Sequence, residues 1–414
     1  MANETFEQRM ERACRDKEIP GAVLIADDKT GKFRYEKVFG NRSLKDPSKS
    51  DPMTIDSTMW LASCSKFPTS VAAMQCVERG SLKLDDDVTG ILPELKGLKI
   101  LKKFDDGDEE PTMVENTKPI TLRHLLTHSS GLSYDVFNPV MARYRVTVDK
   151  VTPDLKIKQP MEISMKVPLL FEPGTSWEYS VGIDWAGKMV ERVSGMELEA
   201  YLNKNVWGPL GTSNSITFHP KSHPTTFQKL TDMSLRQGGI TPFGTTASPE
   251  APVEYTEDRA WNLEAPDCFG GAGLFGALPD YQNLLNSICA DDGKILKKET
   301  VDHMFQDHLS AASKAAMNEK LVIPAMRDVY GVEEGMEVTF GLGGMIYLKD
   351  VEGGRKAGTM NWGGYPNLIW FCDRKTGLSG ISGTQICPPG DPKFKQLFAL
   401  WEQELYKSVA KGKL

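Results

Sequence analysis

The chain of 414 residues is 40% hydrophobic and 25% charged, a globular composition that excludes dominant disorder and accommodates one large domain or two coupled ones. Its formal net charge of -7, with Lys and Arg scattered rather than striped, argues against a nucleic-acid partner. No stretch approaches the roughly 18 consecutive apolar residues of a membrane span, and the charged N-terminus lacks an apolar leader core, so neither secretion nor a membrane partner is expected.

In chain order, residues 4 to 18 suit a short amphipathic helix, and "GAVLIADDKTGKFRYEKVFG" reads as strand, turn, strand with its bend at Lys29 to Gly31. Residues 61 to 79 and 176 to 205 carry helical periodicity, while 104 to 118 and 241 to 259 have the acidic or Pro- and Thr-rich character of loops. The acidic "DDGDEE" at 105 to 110 reads as a solvated loop. Near the other end, "PNLIWFCDRKTGLSGISGTQI" repeats the hairpin pattern with a turn at Asp373 to Gly377. Phe394, Leu397, Phe398, Trp401 and Leu405 then mark one face of a final helix. Sheet and flanking helices thus come from both ends of the chain. The simplest assembly is an α+β fold: a sheet domain of residues 1–80 and 206–414, a mainly helical subdomain of residues 81–205, and an active site at their junction.

Seven cysteines without paired C-x-x-C spacing indicate reduced thiols of a cytoplasmic protein rather than disulfides or a zinc cluster. The terminal "GKL" is similar to a peroxisomal S-K-L address but lacks its serine. His124 and His128 stand at i, i+4 without the acidic residue of H-E-x-x-H, and Pro220 breaks any helix between His219 and His223. No metal is therefore expected. The glycine-rich "FGGAGLFG" and "FGLGGM" follow no βαβ pattern and no P-loop, so no cofactor is expected, and no G-x-S-x-G elbow exists.

One short spacing does suggest chemistry. In "LASCSKFPTSVAAMQ" Ser63 precedes Lys66 by three residues. Chance alone supplies about two such pairs in a chain of this size, and Ser408 with Lys411 is another. Ser63, however, follows apolar "MWLA" and opens a helical segment, so it belongs at or near a helix N-terminus, where free N–H groups favour developing negative charge. Lys66 then lies on the same face, one turn along, where a desolvated amine could take the serine's proton. The alternative is an N-cap serine beside a solvated lysine. Pro68 sits near the end of the first turn, where a missing N–H is only marginally tolerated.

Four further stretches bear on that choice: "TLRHLLTHSSGL" (121–132), "FEPGTSWEYSVGIDWAGKMVERVSG" (171–195), "CFGGAGLFGALPDY" (268–281) and "NWGGYPNLIW" (361–370). With "LASCSK" they resemble, in order and spacing, the serine β-lactamase superfamily, in particular class C β-lactamases and family VIII carboxylesterases, and within it the fungal acyltransferases (transesterases) of lovastatin biosynthesis. The resemblance covers nearly the whole chain. It implies a β-lactamase/transpeptidase-like fold, with Ser63 as nucleophile, Lys66 as its lysine partner and Tyr179 of "EYSVG" as the tyrosine of the Y-x-N motif. Tyr179 and Lys66 would share a proton as general base and acid. Trp362, Gly363 and Gly364 would match the strand that borders the substrate, as in the esterases. The N–H of Tyr365 would complete an oxyanion hole with that of Ser63. The literal "KTG" at Lys375 to Gly377 falls in the hairpin turn and is a decoy.

Two departures argue against antibiotic hydrolysis: Val181 replaces the motif's asparagine, and Trp362 replaces the cationic lysine. Esters or thioesters with neutral acyl chains become the expected substrates. The resemblance implies transfer from an acyl thioester donor, an acyl carrier protein being one such carrier, to a small-molecule alcohol acceptor in fungal secondary metabolism. A carboxylesterase or lactonase would use the same residues, and a non-catalytic binding protein of the same fold is the third reading. The loops at 133–170 and 213–262 are expected to decide substrate choice.

Overall fold

The apolar run after the first helix becomes β1 (Gly21–Asp28), buried along its whole length, and the alternating run beyond the Lys29–Gly31 bend becomes β2 (Arg34–Gly40), a largely exposed edge strand. Five strands from the C-terminal part complete the sheet: β3 (Val338–Phe340), β4 (Met345–Tyr347), β5 (Met360–Gly364), β6 (Leu368–Asp373) and β7 (Leu378–Gly383). The order is β2-β1-β7-β6-β5-β4-β3, and every neighbouring pair is antiparallel. The two ends of the chain meet where β1 pairs with β7, with Val23 opposite Gly383 and Ile25 opposite Ile381. The molecule is described here from a computed structural model that covers residues 4–410 except 47, 50, 105–109, 213–214, 239–247 and 249. Most of the "DDGDEE" run, Lys411 and the terminal "GKL" lie outside the described residues.

Five helices position the site: α1 (Phe6–Arg15), α2 (Lys66–Glu78), α3 (Gly182–Ser194), α4 (Leu278–Ala290) and α5 (Pro392–Ala410). Strand alternation sorts the core into two layers. Leu24 and Ala26 of β1 and Phe371 of β6 join Met10 of α1 and Phe394, Leu397, Phe398, Trp401 and Leu405 of α5 on one side of the sheet, as the periodicity of α5 predicts. Val23, Ile25 and Trp370 face the other side, with α2 and α4. From Lys66 to Cys76, every residue of α2 is buried, so this helix runs through the interior rather than along the surface.

Three expectations are corrected. The helical stretch from residue 61 begins with a 3₁₀ turn, Ala62–Ser65, and α2 itself opens at Lys66. Residues 176–181 are not helical, because their backbone bonds go to His128: Glu178 N donates to His128 O (3.0 Å) and Ser180 N to His128 Nδ1 (3.2 Å). Inside the two predicted loops, Thr112–Val114 pairs with Ile100–Lys103, and Val253–Thr256 pairs with Met233–Arg236.

A buried ion pair ties these parts together. Arg236 and Asp391 are both fully buried, with Nε to Oδ2 at 2.5 Å and Nη2 to Oδ1 at 3.1 Å. Arg236 also donates to the carbonyls of Ala251 and Glu18, which fastens the N-terminal helix to the Met233–Arg236 strand. Asp391 in turn accepts from Phe394 N (2.8 Å) in the first turn of α5, and its own N–H donates to Asn367 Oδ1 (2.8 Å). Asn367 occupies the β5–β6 turn at φ 64°, a conformation Asn tolerates better than most residues, and its amide donates to Ile386 O and Pro388 O. Replacing Arg236 by Met would strand the Asp391 carboxylate, at a cost of about 3–5 kcal/mol. Urea unfolding of Arg236→Met should show a loss of that size; a change within about 0.5 kcal/mol, typical of surface substitutions, would contradict it.

Candidate active site

Ser63 sits in the 3₁₀ turn that leads into α2. The residue before it, Ala62, is buried and has φ 46°, a left-handed conformation that costs a non-glycine residue roughly 1–2 kcal/mol. Such strain is held in place by its surroundings. Here the surroundings include β5, whose backbone passes so close that a Cβ on Gly364 would lie 2.5 Å from Leu61 O. Glycine is therefore required at 364 for the strand to reach the Ser63 turn. Pro68 is the third residue of α2, where first-turn N–H groups have no helical acceptor, so the helix starts without penalty.

Lys66 is the first residue of α2, and its whole side chain is buried, at 1% exposure. Its ammonium has three N–H donors, and three acceptors surround it: Gly271 O at 2.6 Å, Tyr134 Oη at 3.0 Å and Ser63 Oγ at 3.4 Å. The solvated-lysine alternative is thereby excluded. Behind this first ring, Tyr134 donates to Asp184 Oδ2 (3.0 Å), and Gly271 N donates to Asp184 Oδ1 (2.8 Å). Both carboxyl oxygens accept, so Asp184 balances the Lys66 charge as a carboxylate. Burial raises its affinity for a proton, and the Lys66 ammonium opposes that rise. A Cβ on Gly271 would fall 2.3 Å from Asp184 Oδ2, so only glycine fits between the acid and the lysine. Burial and the Asp184 charge also push the Tyr134 phenol well above its ordinary pKa, which keeps it a neutral relay of hydrogen bonds.

Tyr179 reaches the same point from the segment ahead of α3. Its hydroxyl lies 2.5 Å from Ser63 Oγ, and Lys66 Nζ sits 4.7 Å from its ring centre. The three predicted catalytic side chains are thus one hydrogen-bonded unit. Val181, in place of the expected asparagine, is buried at the N-terminus of α3 and offers no cap. Trp362 is buried against Tyr179 at a ring distance of 5.5 Å, so it supports the tyrosine as well as lining the cavity. Gly363, Gly364 and Tyr365 line the same cavity as Ser63. That cavity has a volume of about 520 Å³, within the usual range for small-molecule sites. The first predicted specificity loop contributes Phe137, Leu155, Ile157 and Met165 to its walls, whereas the second contributes Trp261 alone among the described residues.

Several site residues escaped the sequence reading. Tyr134, Gly271 and Asp184 lie inside or beside the quoted motifs, yet only the fold brings them to Lys66. Tyr330, from the helix Pro324–Tyr330, packs 5.5 Å from Trp362 and had no signal at all. Arg145 also lines the cavity, neutralised by Asp135 at 3.1 Å and Asp149 at 2.7 Å, so the lining is less uniformly apolar than expected. Of the histidines, His124 accepts from Thr121 N (3.3 Å) in a helix cap, and His219 and His223 do not line the cavity.

His128, outside the helix at φ 59°, is fully buried beneath Tyr179, with ring centres 4.9 Å apart. Because the Ser180 amide donates to Nδ1, the ring proton resides on Nε2. Burial, and then the Lys66 charge, hold its pKa well below the ordinary value. Protonation would put an N–H where the Ser180 N–H already points. The native imidazole stays neutral where an unfolded one binds a proton, so its contribution is complete above roughly pH 6.5 and is lost as pH falls further. Between roughly pH 7 and pH 5, wild type should lose more stability than His128→Asn in parallel urea titrations; equal losses would contradict this assignment.

Comparison with known proteins agrees with the geometry. A family model described as Beta-lactamase matches residues 2–392. The chain is 33% identical over 414 residues to a monacolin J acid methylbutanoyltransferase of Aspergillus terreus, covering 98% of this chain and 96% of that protein. It is 39% identical over 376 residues to a lovastatin esterase of Penicillium rubens, covering 90% of each. Among solved structures, the LovD6 mutant of simvastatin synthase (LovD) from Aspergillus terreus shares the fold with a TM-score of 0.88 at 34% identity, covering 98% of this chain and 95% of that one. The expected β-lactamase-like architecture is therefore the one observed, and the chain belongs to the β-lactamase family.

Proposed function

We propose that this protein is a serine acyltransferase that moves an acyl group from a thioester or ester donor to a small-molecule alcohol through an acyl-enzyme on Ser63. The observation that carries this reading is the Lys66–Ser63–Tyr179 unit, with Ser63 Oγ bonded to Tyr179 at 2.5 Å and Lys66 at 3.4 Å, in the wall of a largely apolar cavity. Tyr179, acting as a phenolate stabilised by the Lys66 ammonium, takes the serine's proton as Oγ attacks the acyl carbon, holds it as the neutral phenol and returns it to the leaving group, which restores the phenolate. The N–H groups of Ser63 and Tyr365 hold the developing oxyanion, and Trp362, Gly363 and Gly364 form the wall beside the acyl chain. The acceptor alcohol then gives its proton to Tyr179 as its oxygen bonds to the acyl carbon, and Tyr179 passes that proton to Ser63 Oγ as the Ser63–acyl bond breaks.

The names of the relatives support both transfer and hydrolysis. A methylbutanoyltransferase and an esterase at 33% and 39% identity show that one framework serves either outcome. We assign transfer in fungal secondary metabolism as the main activity, with the donor presented as a thioester on an acyl carrier protein and the reaction in the cytoplasm. The carboxylesterase or lactonase reading is kept because of the lovastatin esterase. The same account takes residues 81–205 as the helical subdomain and the remainder as the sheet domain.

Initial rates measured with a short acyl thioester and a secondary alcohol, both varied, should give the parallel double-reciprocal lines of a ping-pong scheme. Tyr179→Phe should lower kcat by about 10²–10⁴. Intersecting lines, or a Tyr179→Phe variant within about threefold of wild type, would overturn the scheme.

A further inference from the structure

A second cavity, of about 240 Å³, adjoins the one that holds Ser63, and the two share Val136, Phe137, residues 153–156 and Tyr365 as lining. Lys156 lines both cavities and is paired at 2.9 Å to Asp258, which lines the second one alone. Phe137 stands between the two candidate catalytic elements. Its ring is nearly parallel to that of Tyr179 (6.2 Å, 25°) and to that of Tyr365 (6.4 Å, 17°), and it meets Tyr134 edge-on at 5.6 Å. Every other ring in that group carries a hydroxyl; Phe137 offers none. It is half-buried and lies in an irregular turn ahead of the helix Pro139–Thr147, not within a regular element.

We infer that Phe137, the ring between Tyr179 and Tyr365 in the wall common to the two cavities, sets the partition of the acyl-enzyme between alcohol and water. This rests on the Ser63 acyl-enzyme of the preceding reading. In either deacylation the incoming oxygen forms a bond to the acyl carbon, the Ser63 Oγ–acyl bond breaks, and the incoming hydroxyl's proton ends on Ser63 Oγ; water yields a carboxylic acid and alcohol yields an ester. A water held beside Tyr179 needs two to four polar partners. The face of Phe137 supplies none, so the ring denies water a stable position on that side. An alcohol with an apolar body differs, because it can replace the Phe137–Tyr365 contact with its own apolar surface and lose little in doing so.

The test uses p-nitrophenyl butyrate as donor and benzyl alcohol as acceptor, and reads the ratio of benzyl butyrate to butyric acid. Both products come from one acyl-enzyme, so a changed acylation rate cancels. Phe137→Ala should lower the ratio about tenfold, Phe137→Leu should fall between, and Phe137→Trp should stay near wild type. Phe137→Leu keeps the result readable if the alanine variant is poorly folded. Butyryl-enzyme formation with an unchanged ratio in Phe137→Ala and Phe137→Leu would overturn the partition and leave the acyl-enzyme reading standing. Absence of any butyryl adduct on the wild-type protein would remove both.

Discussion

A buried ammonium organises this site. Lys66 lies at the start of an interior helix with its charge out of water, and such a charge is tolerated only when every N–H is accepted and an opposite charge is near. Gly271 O, Tyr134 and Ser63 provide the acceptors, and Asp184, one hydrogen bond further out, provides the charge. The other features follow from that requirement. Glycine at 271 leaves room for the acid, neutral Tyr134 links the acid to the lysine, and neutral His128 beneath Tyr179 adds no second positive charge. Breaking one link would expose the next group to an unpaired buried charge.

The arrangement also explains why the fold is built from both ends of the chain. Ser63 and Lys66 come early, Tyr179 comes from the middle, and the wall beside Ser63 is β5, near the end. These segments hold register only if the C-terminal hairpin is fixed in space. The Arg236–Asp391 pair does this by capping α5 and, through Asn367, clamping the turn that carries Tyr365. A buried pair distant in sequence from Ser63 thus fixes the turn that carries Tyr365.

Much of this was legible in the sequence, for identifiable reasons. Periodicity exposed the buried face of α5 and the strand character of β1, because both elements place apolar side chains at regular spacing against a continuous core. Ser63, Lys66 and Tyr179 were legible because family motifs mark residue types that chemistry constrains. Asp184 and Gly271 were not, since their significance is a distance across the fold: an acidic residue in "GIDWAG" and a glycine in "FGGAG" look ordinary until the fold brings both to Lys66. The non-helical path of 176–181 was hidden for a similar reason, as its backbone bonds go to His128, some fifty residues away in sequence. Tyr330 and Phe137, on an irregular stretch or a short helix, follow no period at all.

The central claim is that Ser63, activated within the Lys66 network, carries the acyl group. Its most direct test is intact-protein mass spectrometry after brief mixing with a short acyl thioester, for wild type, Ser63→Ala and Lys66→Met. The account predicts a one-acyl mass increase on the wild type, mapped by peptide digestion to Ser63, and no increase on either variant. An adduct of equal yield on Ser63→Ala, or rapid full acylation of Lys66→Met, would contradict it.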